Sequence, residues 1–390
     1  MRVACIGNSN NIFFSLARHL RDRGIDADVL LLNDESAHFH PSADTYDLDY
    51  QRYTASLSWG KPLGFTTVPA RQIAEDVKKY DFIIGCGSTP AFLHKIGRPL
   101  DLFIPYGTDV IVYPFFSLKR PAYSLMCAPF IRNQQRGIRS ASYLNFDLTN
   151  EEMEKVILRL KYPGKRLECG IPMVYTPMYH PERIAQFYDR SRWYREFEKI
   201  RREHDIVIFH QTRHVWKNSP DPFSWKGNDK LFIGFSDFVK QAGIKACIVT
   251  CEYGADVDAS KKLVCDLGIE KQVFWFPQMM RKEIMIGLSL ADIGTGEFHM
   301  SWLSCGTIYE TLAMAKPLMH YREDKLYEKR YPELYPMIRV KTAEDITRAL
   351  HDYAARPAYY KKMGEAGRSW LQRHAIDEPL NAYLKIMKGG

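Results

Sequence analysis

The chain has 390 residues, 46% hydrophobic and 26% charged, which is the composition of a globular protein and excludes a disordered, collagenous or fibrous one. Its formal charge of +8 can draw phosphate-bearing small molecules, anionic lipid or nucleic acid to the surface without choosing among them. No apolar run reaches the ~18 residues of a membrane span, there are no tandem repeats, and the length exceeds what one core usually supports, so two domains are expected.

The chain opens on a strand, RVACIG, too short for the apolar core of a signal peptide and ended by Asn8. Val3 to Gly7 reads as a buried strand, and Ile12 to Arg23 as a helix with Phe13, Leu16, Ala17 and Leu20 at helical spacing, stopped by Gly24. Strands at Ala27 to Leu32, Phe82 to Gly85 and Leu102 to Pro105 alternate with helices at Gln72 to Tyr80 and Ala91 to Ile96. This is the βαβ rhythm of a parallel sheet covered by helices.

The rhythm restarts near Asp205. Strands at Ile206 to Phe209, Ala246 to Thr250, Val273 to Phe276, Ala291 to Ile293 and Pro317 to His320 are interleaved with helices at Lys230 to Gln241, Ala259 to Leu267, Arg281 to Leu288 and Ile308 to Ala315. Thr342, with Asp345 three residues on, caps a helix from Ala343 to Tyr353, and an aromatic-rich helical segment runs from about Pro357 to Met387. The prolines of GIPMVYTPMYHP, Gly170 to Pro181, mark the linker. Two Rossmann-like α/β domains are therefore expected, 1–172 and 173–365, facing across a cleft, with 366–390 packing back toward the first. Ligands of such sheets lie beyond the carboxyl ends of the strands.

Eight cysteines occur, none in a CxxC pair, and Cys247 and Cys251 have no histidine at metal-ligand spacing. They read as reduced thiols in a cytosolic protein, with no metal site. Val110 to Phe146 contains no Asp or Glu but holds Lys119, Arg120, Arg132, Arg136 and Arg139 among Tyr113, Phe115, Phe116, Tyr123, Phe130 and Tyr143. A solvated basic edge over buried rings is one reading; a membrane surface or a phosphorylated acceptor is the other. No DNA-binding signature is present, and no nucleic-acid partner is expected.

Polar residues gather after strand ends. Asn8 to Asn11, Asn10 among them, follow the first strand and can present backbone N–H groups to an anion or a sugar, or form an ordinary turn; GxGxxG is absent. Tyr106-Gly107-Thr108-Asp109 follows another strand, with Asp109 as a hydroxyl acceptor, a proton-transfer group or a helix cap. His210 to Asn218 includes Arg213, and Lys226-Gly227 lies thirteen residues further on. A planar guanidinium and a mobile ammonium suit a diphosphate and stabilise charge on a departing phosphate. Between Ala291 and Pro317 come Glu297, His299, then Gly306, Thr307 and Ile308 opening a helix, and Glu310 within it. The helix start suits phosphate, the Glu310 carboxylate a ribose diol, and Glu297 or His299 the sugar or phosphates.

These residues resemble those of glycosyltransferases of the two-Rossmann-domain type, called GT-B. The resemblance is greatest to the large retaining family 4 (glycosyltransferase group 1), which includes sucrose and glycogen synthases and many bacterial surface-polysaccharide enzymes. It covers most of the chain and is strongest from His204 to His320. Arg213, Lys226 and Gly227 look like the family's Arg and Lys-Gly; Glu310, Ala313, Lys316 and Pro317 look like its ribose Glu and following helix; Tyr106 to Asp109 is similar to its acceptor-side motif. Trp302 stands where many members carry a second Glu, and Glu297 comes five positions too early for it.

The resemblance implies a metal-independent enzyme that moves a sugar from a nucleotide diphosphate sugar to a glycan or lipid-linked acceptor, with retention. It further implies no cofactor, while the thiols point to a cytoplasmic location and the basic, aromatic segment to contact with the inner membrane face through 110–146. The alternatives are a sugar-nucleotide epimerase of the same fold and a non-catalytic nucleotide-sugar-binding protein.

Overall fold

The computed structural model describes residues 1–145, 151–221 and 224–389. Phe146, the end of the acid-free segment, lies outside them. The chain forms two compact units: Met1–Tyr175 with His374–Gly390, and Thr176–Arg373.

The first unit is built on seven parallel strands: β1 Arg2–Ile6, β2 Asp26–Leu31, β3 Thr54–Ser56, β4 Phe82–Gly85, β5 Leu102–Phe103, β6 Tyr143–Asn145 and β7 Lys165–Leu167, in the order β3-β2-β1-β4-β5-β6-β7. β1 is central, and Val3 to Ile6 are buried, which is why the run is apolar without alternation. The helix Ile12–Asp22 ends at Gly24, whose φ of 78° is open to glycine. Gly24 N–H donates to the Arg21 carbonyl and Ile25 N–H to the Leu20 carbonyl, the paired bonds of a Schellman stop. One core packs on this helix and takes in Ile376, Leu380 and Tyr383 from the end of the chain. The other lies under Ala70–Val77, Thr89–Lys95 and Ala128–Ser140.

The second unit carries six parallel strands: β8 Ile206–His210, β9 Ala246–Glu252, β10 Val273–Pro277, β11 Ile293–Thr295, β12 Leu318–His320 and β13 Ile338–Arg339, ordered β10-β9-β8-β11-β12-β13. This is a doubly wound sheet whose order reverses between β8 and β11, and a ligand crevice opens at that point in such sheets. The helix Ala343–Ala355 starts with the expected reciprocal cap between Thr342 and Asp345. Trp370, at the end of the helix Pro357–Trp370, packs on Tyr331 and Tyr335 and donates to the Glu333 carbonyl, so this helix belongs to the second unit.

The short strands β3, β6, β7 and β13 escape a reading by periodicity, and the amphipathic helix Glu151–Leu160 goes unread in the sequence. Two- and three-residue strands are too short to show a period.

Candidate functional site

In the second unit, three loops meet where the strand order reverses. Thr212, after β8, donates its hydroxyl to the Gly296 carbonyl after β11 at 2.9 Å. Gln211 Nε2 donates to the Thr307 carbonyl at 3.2 Å, in the first turn of the helix Gly306–Ala313. Phe298 N–H donates to the Lys226 carbonyl at 2.8 Å, joining the third loop. Gly227, at φ 70°, turns the chain into the helix Asn228–Ala242 beneath it.

This closure brings Lys226 and Glu297 together. Lys226 Nζ lies 2.7 Å from Glu297 Oε1, and both side chains are nearly closed to solvent. Glu297 Oε2 is enclosed and has no hydrogen-bond partner among the described residues. The Glu297 backbone N–H donates to His320 Nδ1 at 2.9 Å, while His320 Nε2 donates to the Trp302 carbonyl at 2.8 Å. Burial lowers the His320 pKa to about 4, which keeps this tautomer neutral. A Cβ on Gly296 would sit 2.5 Å from His320 Nδ1, so glycine is required there.

A second buried pair stands beside the helix start. Arg281 Nε lies 2.9 Å from Glu310 Oε1, with side-chain exposures of 6% and 8%. A Cβ on Gly306 would lie 3.8 Å from Glu310 Oε1 and 3.9 Å from Arg281 Nη2, so both groups line the small gap this glycine leaves. The residue before Gly306 is Cys305, not one of the usual capping residues. Burial first, and then the charge of Glu297, push its thiol up to about 11.

Of the expected residues, Lys226, Glu297, Glu310, Gly306 and Thr307 are therefore gathered by these contacts. Ile308 is buried beneath the helix and turns no side chain outward. His299 is half-buried against the Trp225 ring, with its pKa lowered by burial and then by Lys230. Arg213 is exposed and has no side-chain partner among the described residues, so it is an open cation in the loop after β8. Two expectations change. Lys226 is already ion-paired with Glu297, and Glu310 already gives one oxygen to Arg281. Arg281 escaped notice, although it follows the end of β10 much as Arg213 follows β8.

Asp109 and Asn10 lie in the first unit. Asp109 is fully buried and accepts from the backbone N–H groups of Gly87 at 2.9 Å, Tyr106 at 3.1 Å and Gly107 at 3.0 Å. Desolvation outweighs these bonds and pushes its pKa up to about 7. Both oxygens are taken by the turn it closes, so the expected exchange with an acceptor hydroxyl finds no open oxygen. Asn10 is exposed at φ 53°, next to Asn11 at φ 58°, in the turn after β1. Asn8 ties this turn down, accepting from Phe14 N–H at 2.8 Å and donating to Asn11 Oδ1 at 3.1 Å.

Glu35, past the end of β2, was also missed. It accepts from Asn8 N–H through Oε1, while its Oε2 is enclosed and has no partner among the described residues. Its place after a strand end is the signal that marks it.

Among the described residues no group of three or more His, Cys, Asp or Glu is placed to hold a metal ion. No helix of the described residues is long and apolar enough to cross a membrane.

No protein-family model matches the chain, and no curated protein matches it in sequence. Solved structures match it in fold. HepE of Anabaena in complex with UDP superposes with a TM-score of 0.63 at 13% identity, covering 100% of both chains. Sucrose-phosphate synthase of Thermosynechococcus elongatus gives 0.62 at 14%, again over 100% of both. UDP-GlcNAc 2-epimerase of Neisseria meningitidis bound to UDP-GlcNAc gives 0.55 at 14%, over 99% of this chain and 100% of that one. The chain thus has the GT-B fold: two Rossmann-like α/β units with a C-terminal helix.

Proposed function

We propose that the second unit binds a nucleotide diphosphate sugar and that the protein is a metal-independent glycosyltransferase, acting with retention as family 4 enzymes do. The observation that carries this is the gathering of Lys226, Glu297 and the Gly306 helix start where the strand order reverses. Lys226 and the open Arg213 face the diphosphate, and their charge stabilises the departing phosphate oxygens more than the bound ester. The helix start adds its backbone N–H groups. Glu310, held by Arg281, accepts from the ribose, and Glu297, paired with Lys226, positions that ammonium for the donor. Asn8 to Asn11 in the first unit meet a glycan or lipid-linked acceptor in the cytoplasm. The UDP and UDP-sugar complexes of fold relatives support a uridine donor.

A panel of UDP, GDP, ADP and CMP sugars, read by thermal shift and then calorimetry, finds the donor. Lys226→Met is expected to weaken UDP binding tenfold or more. Glu297→Gln, which removes the ion-paired carboxylate, is expected to keep or strengthen UDP binding while transfer falls at least tenfold. Equal UDP affinity in wild type and Lys226→Met rules the diphosphate assignment out. Glu310 is tested as Glu310→Gln, because Glu310→Ala strands a buried Arg281 at a cost of about 3–5 kcal/mol.

The likeness to an epimerase supports a second reading, epimerisation of the same donor class. Turnover of a UDP-sugar to its epimer with no acceptor present would select it.

A further inference from the structure

The acid-free segment folds as the helices Thr108–Ile111, Pro121–Met126 and Ala128–Ser140 with a loop between the first two. Some of its rings are covered, in keeping with the reading of a basic edge over buried rings. Phe130 is buried and meets Tyr113 and Phe65 edge-on, and Phe115 lies under the Arg159 guanidinium at 4.0 Å. The apolar side chains left outside are chiefly aliphatic: Leu118 is 87% exposed, Met126 69%, Leu125 67% and Val112 52%, with Phe116 and Tyr123 beside them in sequence and also exposed. Lys119 and Arg120 sit between Leu118 and Tyr123. Arg132 and Arg136 are exposed one turn apart on the helix that follows. None of these four cations makes an ion pair among the described residues.

We infer that this face docks on an anionic lipid bilayer, with Leu118, Leu125 and Met126 entering the headgroup–acyl boundary and Lys119, Arg120, Arg132 and Arg136 set against the phosphates. Isolated exposed apolar residues are ordinary, but a cluster this dense on one short stretch is not. Its charge selects the partner: exposed aliphatic side chains and unpaired cations in one stretch that itself carries no carboxylate complement a layer of anionic headgroups over hydrocarbon. The six-residue helix carrying Leu125 and Met126 is far too short to span, so the contact is peripheral. The inference goes beyond the nucleotide reading and does not depend on it.

Flotation of the full chain with phosphatidylcholine vesicles, with and without phosphatidylglycerol, tests it. The wild type is expected to float with the anionic vesicles, less so as salt rises. The triple variant Leu118→Asn, Leu125→Asn, Met126→Asn is expected to lose partitioning tenfold or more, and Lys119→Gln with Arg120→Gln to lose the salt-sensitive part. These are surface changes, so an unaltered thermal midpoint certifies the fold. No flotation of the wild type, or equal partitioning of wild type and triple variant, overturns the inference. So does light scattering that shows dimers abolished by the triple variant without vesicle binding, since the face would then meet a second copy.

Discussion

At the scale of single residues, burial decides the chemistry. Desolvation pushes the Glu35 carboxyl up to about 8, against one backbone hydrogen bond from Asn8 that works the other way. A folded-state pKa above the unfolded 4.5 means that the native state holds more protons between these values, so this contribution to stability falls as pH rises from about 4.5 to 8. Glu35→Gln keeps the acceptor for Asn8 and removes the titration. The variant should gain on the wild type with rising pH, by about 3 kcal/mol between pH 5 and pH 8, as urea melts at several pH values would show; parallel curves would refute it. The same physics limits what a residue list reveals. Lys226, Glu297 and Glu310 are legible as candidates because their types and spacing suit a nucleotide. That Lys226 closes on Glu297, and Glu310 on Arg281, is invisible, because each pair joins residues far apart in sequence.

Among the elements, the loop after β8 shows how backbone demands are met without regular structure. Asp256 accepts from the N–H groups of Trp216 at 2.7 Å, Lys217 at 2.8 Å and Asn218 at 3.2 Å, and from the Asn218 side chain. Although desolvation opposes it, this set of bonds holds the Asp256 pKa below its ordinary value. Asp256→Ala leaves three N–H groups without that acceptor, at about 1–3 kcal/mol. The loss should show as faster amide exchange at Trp216 to Asn218 with the exchange of β8 unchanged; unchanged exchange in the loop would dismiss the role. Helices with a long apolar period and clear end signals, such as Ile12–Asp22 and Ala343–Ala355, are readable in advance. Loop clamps are not, since no local pattern links Asp256 to a turn forty residues earlier.

For the whole molecule, the division into units predicts how it melts. Ile376, Leu380 and Tyr383 are fully buried in the first unit's core, and Asn145 Nδ2 donates to the Tyr383 hydroxyl at 2.5 Å. Leu380→Ala should therefore lower the same unfolding transition as Leu16→Ala, by about 2–5 kcal/mol, while Leu350→Ala in the second core lowers another. Calorimetry resolves the two; Leu380→Ala tracking Leu350→Ala would contradict the assignment of the tail.

The sequence by itself determined the class of fold, two sheets of parallel strands with helical connections, because hydrophobic period and turn residues act over a few neighbours and are written locally. It also pointed to the strand ends where polar residues collect. The tertiary structure decided which of those residues face one another, that Asp109 clamps a turn, and that Leu118, Leu125 and Met126 lie outside on the basic segment while Phe130 is buried. Those outcomes depend on desolvation and on contacts between distant segments, and neither quantity exists until the chain has closed on itself.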